Sequence, residues 1–434
     1  MSTINIDALA PVSFVPKEIS KSSQYLFLSL VGLIGLVLSF QGPIITPDTG
    51  SYLVYHAIRS PLYPLFLKLN SIFEPYTYNI IVVIQIFFGF YSSWHLSKVI
   101  QKFFNLESWF TFIVFFIFLF PYFGQCKIGN TLLTEALCYP LFLLFVSFLL
   151  KGLLEKNTKY LITSFIITMF LILTRRQFLF IYPVISLILV YYALFERKNF
   201  KIKLLTFLFI LSCGATSLIE KTYHYIHTGH FNSTPFTGIQ LIIAPLYRSN
   251  ESDVQLFKKD IQKNIFIKTR EKMHQKNAFF DSTKDYCVFH YFTFSYNPIQ
   301  WESLFPTLHQ FGIEDFFYID QLTTEMAFIL IKQNFKSWFT LYFLNVVLSL
   351  GGYYYSLLLM FFFFVSLFFY ITKRNNLALL SLVTITLTAA NYSLVALVEP
   401  ILMRYSIYTD TLLANIILIL IFIALKDQYV RHNR

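Results

Sequence analysis

Residues Gly352 to Ile371, GYYYSLLLMFFFFVSLFFYI, run for twenty positions without a charge. A helix of that length rises about 30 Å, the thickness of a bilayer's hydrocarbon core. The same pattern recurs on both sides of this block. Apolar blocks lie near 25–41, 76–96, 108–123, 131–150, 160–174, 177–195 and 204–221, and Leu377 to Val398 and Tyr405 to Leu425 follow it. Composition agrees: 56% of the 434 residues are hydrophobic and 13% charged, against about 25% charged in soluble domains. The first block ends in Ser39-Phe40-Gln41-Gly42-Pro43, which lacks a small-x-small cleavage pattern, so it reads as a retained helix. These features predict an all-α polytopic membrane protein.

The net charge of +11 does not point to nucleic acid, because the basic residues fall in short clusters between apolar blocks. Cytoplasmic loops carry an excess of Lys and Arg. With the N-terminus in the cytoplasm, Lys98 and Lys102, then Lys151, Lys156 and Lys159, then Arg197, Lys198, Lys201 and Lys203, then Lys373 and Arg374 all fall on the cytoplasmic side. For the Lys373-Arg374 turn to stay there, Ser337 to Leu350 must lie along the membrane surface, with Trp338 and Tyr342 at headgroup level. The count then closes at about ten transmembrane helices with both termini cytoplasmic, in a plasma or inner membrane.

Three parts follow: 1–221 as an N-terminal transmembrane module, 222–350 as an outer soluble segment with an interfacial helix, and 351–434 as C-terminal transmembrane helices. Within the outer segment, Ser252 to Lys276 is charged and carries Val254, Phe257, Ile261 and Ile265 at helical spacing, which predicts one amphipathic helix. Cys126, Cys138, Cys213 and Cys287 form no CxxC pair, so neither a disulfide framework nor a zinc site is expected. No Gly-rich phosphate loop occurs. No metal and no cofactor are expected.

Ionisable residues near membrane depth are functional candidates by default, and here they gather on the outer side. The first outer loop holds Asp48, His56 and Arg59, Lys127 follows the third span, and Glu135 opens the fourth. Arg175 and Arg176 occupy the turn between the fifth and sixth spans, and Glu399 and Arg404 the turn between the last two. Each has a plain alternative. Asp48 is either the N-cap of a short helix or a general base whose carboxyl is raised by half-burial. The arginines are either interfacial anchors or, with Lys127, donors to a phosphate. Glu135 fits the positive end of its own helix, and Glu399 with Arg404 fits a structural ion pair.

Four local patterns resemble the GT-C glycosyltransferases, and among them the polyprenyl-phosphate-sugar-dependent enzymes similar to protein O-mannosyltransferases and aminoarabinose transferases. Pro47-Asp48-Thr49-Gly50-Ser51-Tyr52, followed by Arg59-Ser60-Pro61-Leu62-Tyr63-Pro64, is similar to that family's first outer loop. Thr134-Glu135, Thr174-Arg175-Arg176 and Glu399-Pro400-x-x-x-Arg404-Tyr405 resemble its later elements. The chain departs from the family where Asp48 is followed by Thr49 instead of a second carboxylate. The resemblance implies a GT-C-like fold and a single in-line, inverting transfer of a sugar from a polyprenyl-phosphate donor to an acceptor hydroxyl on the outer face. Asp48 would be the base, Arg175, Arg404 and Lys127 the phosphate ligands, and Arg59, Glu135, Arg176, Glu399, His56, Tyr63 and Tyr405 supporting residues. The acceptor, whether glycan, lipid or protein, stays open. A transporter or flippase of anionic substrates, and an inactive scaffold of the same fold, are the competing readings.

Overall fold

The computed structural model describes residues 21–124, 126–195, 201–280, 291–399 and 403–432. Among these the chain is all-helical; its one β feature is an isolated parallel bridge between Ile44 and Thr131. The first half contains α1 (Lys21–Phe40), α2 (Thr49–Leu53), α3 (Leu62–Asn70), α4 (Thr77–Phe104), α5 (Ser108–Leu119), α6 (Glu135–Leu154), α7 (Thr158–Thr174), α8 (Ile181–Phe195) and α9 (Ile202–Thr228). The segment expected to lie outside the membrane follows with α10 (Thr237–Leu241), α11 (Ile243–Arg248), α12 (Asp260–Gln275), α13 (Phe305–Gln310), α14 (Phe316–Gln333) and α15 (Phe335–Ser349). The chain closes with α16 (Tyr353–Lys373), α17 (Asn376–Val398) and α18 (Met403–His432).

Seven helices among the described residues are long and apolar enough to cross a membrane: Thr77–Phe104, Glu135–Leu154, Arg176–Phe195, Ile202–Thr228, Tyr353–Lys373, Asn376–Val398 and Arg404–Lys426. The other three expected blocks form shorter apolar helices, Ser29–Phe40, Ser108–Tyr122 and Thr158–Thr174. Only 11% of the α16 window and 17% of the α9 window is buried inside the chain. Phe361, Phe364 and Phe368 therefore face outward from α16, a surface compatible with lipid and not with water. Seven such helices are compatible with a multi-pass membrane protein.

The helix ends follow local chemistry. Asn375 caps α17, its Oδ1 accepting from the Leu377 and Ala378 amides at 2.8 and 3.1 Å. The expected end of the seventh block at 221 is corrected: α9 continues to Thr228, and Gly229 stops it in the left-handed region at φ 77°. The amphipathic helix over 252–276 is also corrected. Glu251–Leu256 is a 3₁₀ turn closed by a capping box between Asn250 and Asp253, Phe257 is extended, and α12 begins only at Asp260. Phe257 still reaches the core, at 1% exposure.

Two large apolar cores, and a small one around Tyr52, Tyr63 and Leu132, organise these elements. One runs through α4, α5, α6, α7 and α8 and continues into α17 and α18, so the first and last helices share a single packed interior. Tyr139 of α6 fixes the junction, donating to the Phe118 carbonyl at 2.7 Å and lying 3.2 Å from Thr411 Oγ1 of α18. The other core lies within the outer segment, around Ile239, Leu246, Phe266, Leu308 and Leu330. Helix α15, at 15 residues, is shorter than a span and packs on α17, with Asn345 Nδ2 donating to the Ala396 carbonyl at 2.9 Å.

Candidate functional site

The loop after α1 is stitched to the loop before α6. Ile44 N–H donates to the Asn130 carbonyl at 2.8 Å, and its carbonyl accepts from Leu132 N–H at 3.1 Å. Thr49 Oγ1 adds a contact to the Leu132 carbonyl at 3.2 Å. These bonds hold Asp48 beside Thr134 and Glu135. Asp48 stands at the N-cap position of α2 but makes no side-chain cap bond, and its backbone is already helical. Its carboxylate turns away to two arginines instead: Arg59 Nη2 lies 2.9 Å from Oδ1, and Arg404 Nη1 lies 3.0 Å from Oδ2.

Arg59 is itself anchored, its Nε donating to Ser51 Oγ at 2.7 Å and its Nη1 to Tyr52 OH at 3.2 Å. Arg404 continues the chain of charges. Its Nε lies 3.6 Å from Glu135 Oε1, which also lies 2.6 Å from Arg175 Nη1. Five groups thus alternate in sign, Arg59, Asp48, Arg404, Glu135 and Arg175. Tyr405 braces the last part: Arg404 Nη2 donates to its hydroxyl at 3.0 Å, and the Arg175 guanidinium lies 4.8 Å from its ring centroid. Arg404 forms its carboxylate pairs with Asp48 and Glu135, so the expected Glu399–Arg404 ion pair gives way. Glu399 accepts from Gln240 Nε2 of α10.

The two cavity carboxyls, Asp48 and Glu399, lie outside the membrane-spanning helices and are pushed in opposite directions. Burial raises Asp48, but Arg59 and Arg404 outweigh it and hold the carboxyl below its ordinary value. The expectation of a raised Asp48 is thereby corrected. Burial raises Glu399, with the Asp48 charge adding to it, against Tyr405, Arg404 and Arg175.

These side chains line a cavity of about 550 Å³. Asp48, Arg59, Arg175, Arg176, Glu399 and Arg404 all face it, and Leu394, Val395 and Val398 of α17 with Leu179 give it an apolar flank. Arg176 also reaches the outer segment, donating to the Thr234 carbonyl at 2.8 Å. Four expected residues do not line the cavity: Glu135 lies behind Arg175 and Arg404 as their buried partner, and the other three sit elsewhere. Lys127 sits in a left-handed turn at φ 36°, its carbonyl accepting from the Asn130 and Thr131 amides. His56 packs edge-on against Phe316 at 4.8 Å. Tyr63 is fully buried and donates to Gln85 Oε1 at 3.1 Å, behind Tyr52.

The sequence reading missed Gln177 and the whole contribution of the outer segment. Gln177 Nε2 donates to Asn391 Oδ1 at 2.7 Å and to the Tyr405 carbonyl at 2.9 Å, tying the arginine turn to α17 and α18. Asn391, buried within an apolar helix, was the available signal. Among the described residues no group of three or more His, Cys, Asp or Glu is placed to hold a metal ion. Compared with protein-family models, curated proteins and solved structures, the chain finds no match.

Proposed function

We propose that this chain is an integral-membrane glycosyltransferase of the GT-C kind, moving a sugar from a polyprenyl-phosphate donor to an acceptor hydroxyl on the non-cytoplasmic face. The observation that carries the reading is Asp48 held between Arg59 and Arg404 in the wall of a cavity flanked by apolar α17. A lipid phosphate needs guanidinium groups beside an apolar path, and a transfer to a hydroxyl needs a carboxylate nearby. Both stand in one cavity here. Seven long and three shorter apolar helices, with Lys and Arg clustered at alternate connections, support ten crossings and cytoplasmic termini.

In this reaction the donor phosphate enters against Arg404 and Arg175. As it draws Arg404 away, one oxygen of Asp48 loses its partner and becomes available to the acceptor. The acceptor oxygen bonds to the anomeric carbon while the bond from that carbon to the phosphate oxygen breaks, and the electron pair leaves with polyprenyl phosphate. The acceptor proton passes to Asp48. Because the hydroxyl becomes strongly acidic as its oxygen bonds to carbon, a carboxylate of low basicity suffices. Arg175 and Arg404 stabilise the charge growing on the leaving phosphate, in a site where fewer waters compete.

The test is sugar transfer from defined polyprenyl-phosphate donors by the purified protein in proteoliposomes. Product with inverted anomeric configuration supports the reading. No product from any polyprenyl-phosphate sugar, with the protein folded, sinks it and favours transport or a catalytically silent scaffold.

A further inference from the structure

The cavity has two chemically different walls. The transmembrane helices and their connections supply every charge that lines it. The outer segment contributes Thr234, Phe236, Thr237, Gln240, Tyr296, Asn297, Gln300 and Trp301, eight residues without a formal charge. Such a wall offers no countercharge to a phosphate, and its hydroxyls, amides and rings match a neutral ligand rich in hydroxyl groups.

Trp301 is its main feature. The side chain lines the cavity yet is 52% exposed, an unusual state for an indole inside a folded segment. One face of the ring is covered by Phe305, stacked at 4.9 Å and 9°, which fixes the plane. The backbone here is π-helical over Pro298–Leu304, a rare geometry that is frequent at functional sites. Its wide turn puts Asn297, Gln300 and Trp301 on the cavity together. The wall is fastened to the charged side, Tyr296 OH donating to the Val398 carbonyl at 3.1 Å and Gln240 donating to Glu399.

We infer that the wall formed by Trp301, Asn297 and Gln300 is a saccharide-binding subsite, which seats a neutral sugar ring on the open indole face with the two amides bonding its hydroxyls. The axial C–H bonds of a pyranose present a weakly positive face that suits the electron-rich face of an indole, and amides both donate to and accept from hydroxyls. The subsite rests on the transferase reading for its consequence: the acceptor is a neutral glycan, and its hydroxyl is brought from this wall toward Asp48.

The experiment is saturation-transfer NMR on the full chain in lipid nanodiscs. The probes are neutral methyl glycosides of glucose, galactose, mannose and N-acetylglucosamine, with glucuronic acid and N-acetyl-seryl-amide as comparisons. At least one neutral glycoside should receive saturation on its ring C–H protons. Trp301→Ala should weaken that binding about tenfold, and Trp301→Phe should retain most of it. Asn297→Ala, at an exposed position, gives a second variant that spares the fold and should also weaken binding. The proposal is overturned if no neutral glycoside binds, if Trp301→Ala binds as well as the native chain, or if only the seryl amide binds. Because no donor is present, this experiment reads binding alone: glycoside binding here together with no product in the proteoliposome assay sinks the transferase reading and leaves the subsite standing. Transfer without glycoside binding does the reverse.

Discussion

Arg404 Nη1 lies 3.0 Å from Asp48 Oδ2, although 356 positions separate the two residues in the chain. That contact joins the loop after α1 to the start of the last helix and, with Arg59, holds the proposed base below its ordinary value against burial. It also makes Arg404 the common partner of both carboxylates, since its Nε faces Glu135.

Asp48→Asn keeps the shape of the side chain and removes its charge. Transfer should fall by about a hundredfold to ten-thousandfold, the range for loss of a general base, with donor affinity changed far less. Rates in proteoliposomes at matched folded protein give the comparison. Unchanged transfer would show that Asp48 only fastens the loop to Arg59 and Arg404.

Polyprenyl phosphate without a sugar should bind and raise the thermal midpoint of the native chain. Arg404→Ala should weaken that binding by about tenfold to a hundredfold, as expected for a charge-assisted hydrogen bond. Arg404→Lys should recover only part, because an ammonium does not bridge Asp48, Glu135 and a phosphate as a planar fork does. Isothermal titration in nanodiscs reads both variants.

Glu135 and Arg175 form the most buried pair of the site, with side chains 5% and 14% exposed. Arg175→Met strands a carboxylate and should cost about 3–5 kcal/mol, less whatever Arg404 offsets. Combining Arg175→Met with Glu135→Leu should recover much of that loss. Denaturant unfolding in mixed micelles separates the single from the double variant, and equal losses would mean the pair acts independently of its charges.

The two cavity carboxyls, Asp48 and Glu399, should leave opposite marks on pH dependence. The folded chain lowers Asp48, so its contribution is complete above the ordinary value and is lost as pH falls through the lowered one. Arg59→Gln should shift the acid limb of the rate profile upward. The folded chain raises Glu399, so its contribution is complete below the ordinary value and is lost as pH rises through the raised one. Melting midpoints should therefore fall less with rising pH in Glu399→Gln than in the native chain.

Gly238 lets α10 press directly on α14. A Cβ there would meet Thr324 Oγ1 at 2.1 Å and the Asp320 carbonyl at 2.2 Å, while the Gly238 amide donates to Asp320 Oδ1 at 2.6 Å. Gly238→Ala should destabilise the outer segment by about 1–3 kcal/mol and displace Gln240 from Glu399. Hydrogen exchange over α10 and α14 should rise while exchange in the transmembrane helices stays unchanged.

The sequence by itself determined the apolar helices, because partition into lipid is a property of each segment's own side chains over about twenty residues. Gly352 to Ile371 needs no partner to be read this way. It also marked the charged residues near the ends of the apolar blocks as candidates, since ionisable groups there are costly unless used. The stops at Gly229 and before Asp260 escaped it, because backbone turns and caps override a hydrophobic period that continues through them. Only the tertiary structure decided which charges meet. Helix register and rotation bring Asp48 to Arg404 and Glu135 to Arg175, and leave Lys127 aside on a turned loop. The neutral wall around Trp301 likewise depends on how the outer segment's own core seats it against α17, a long-range packing outcome that no local pattern encodes.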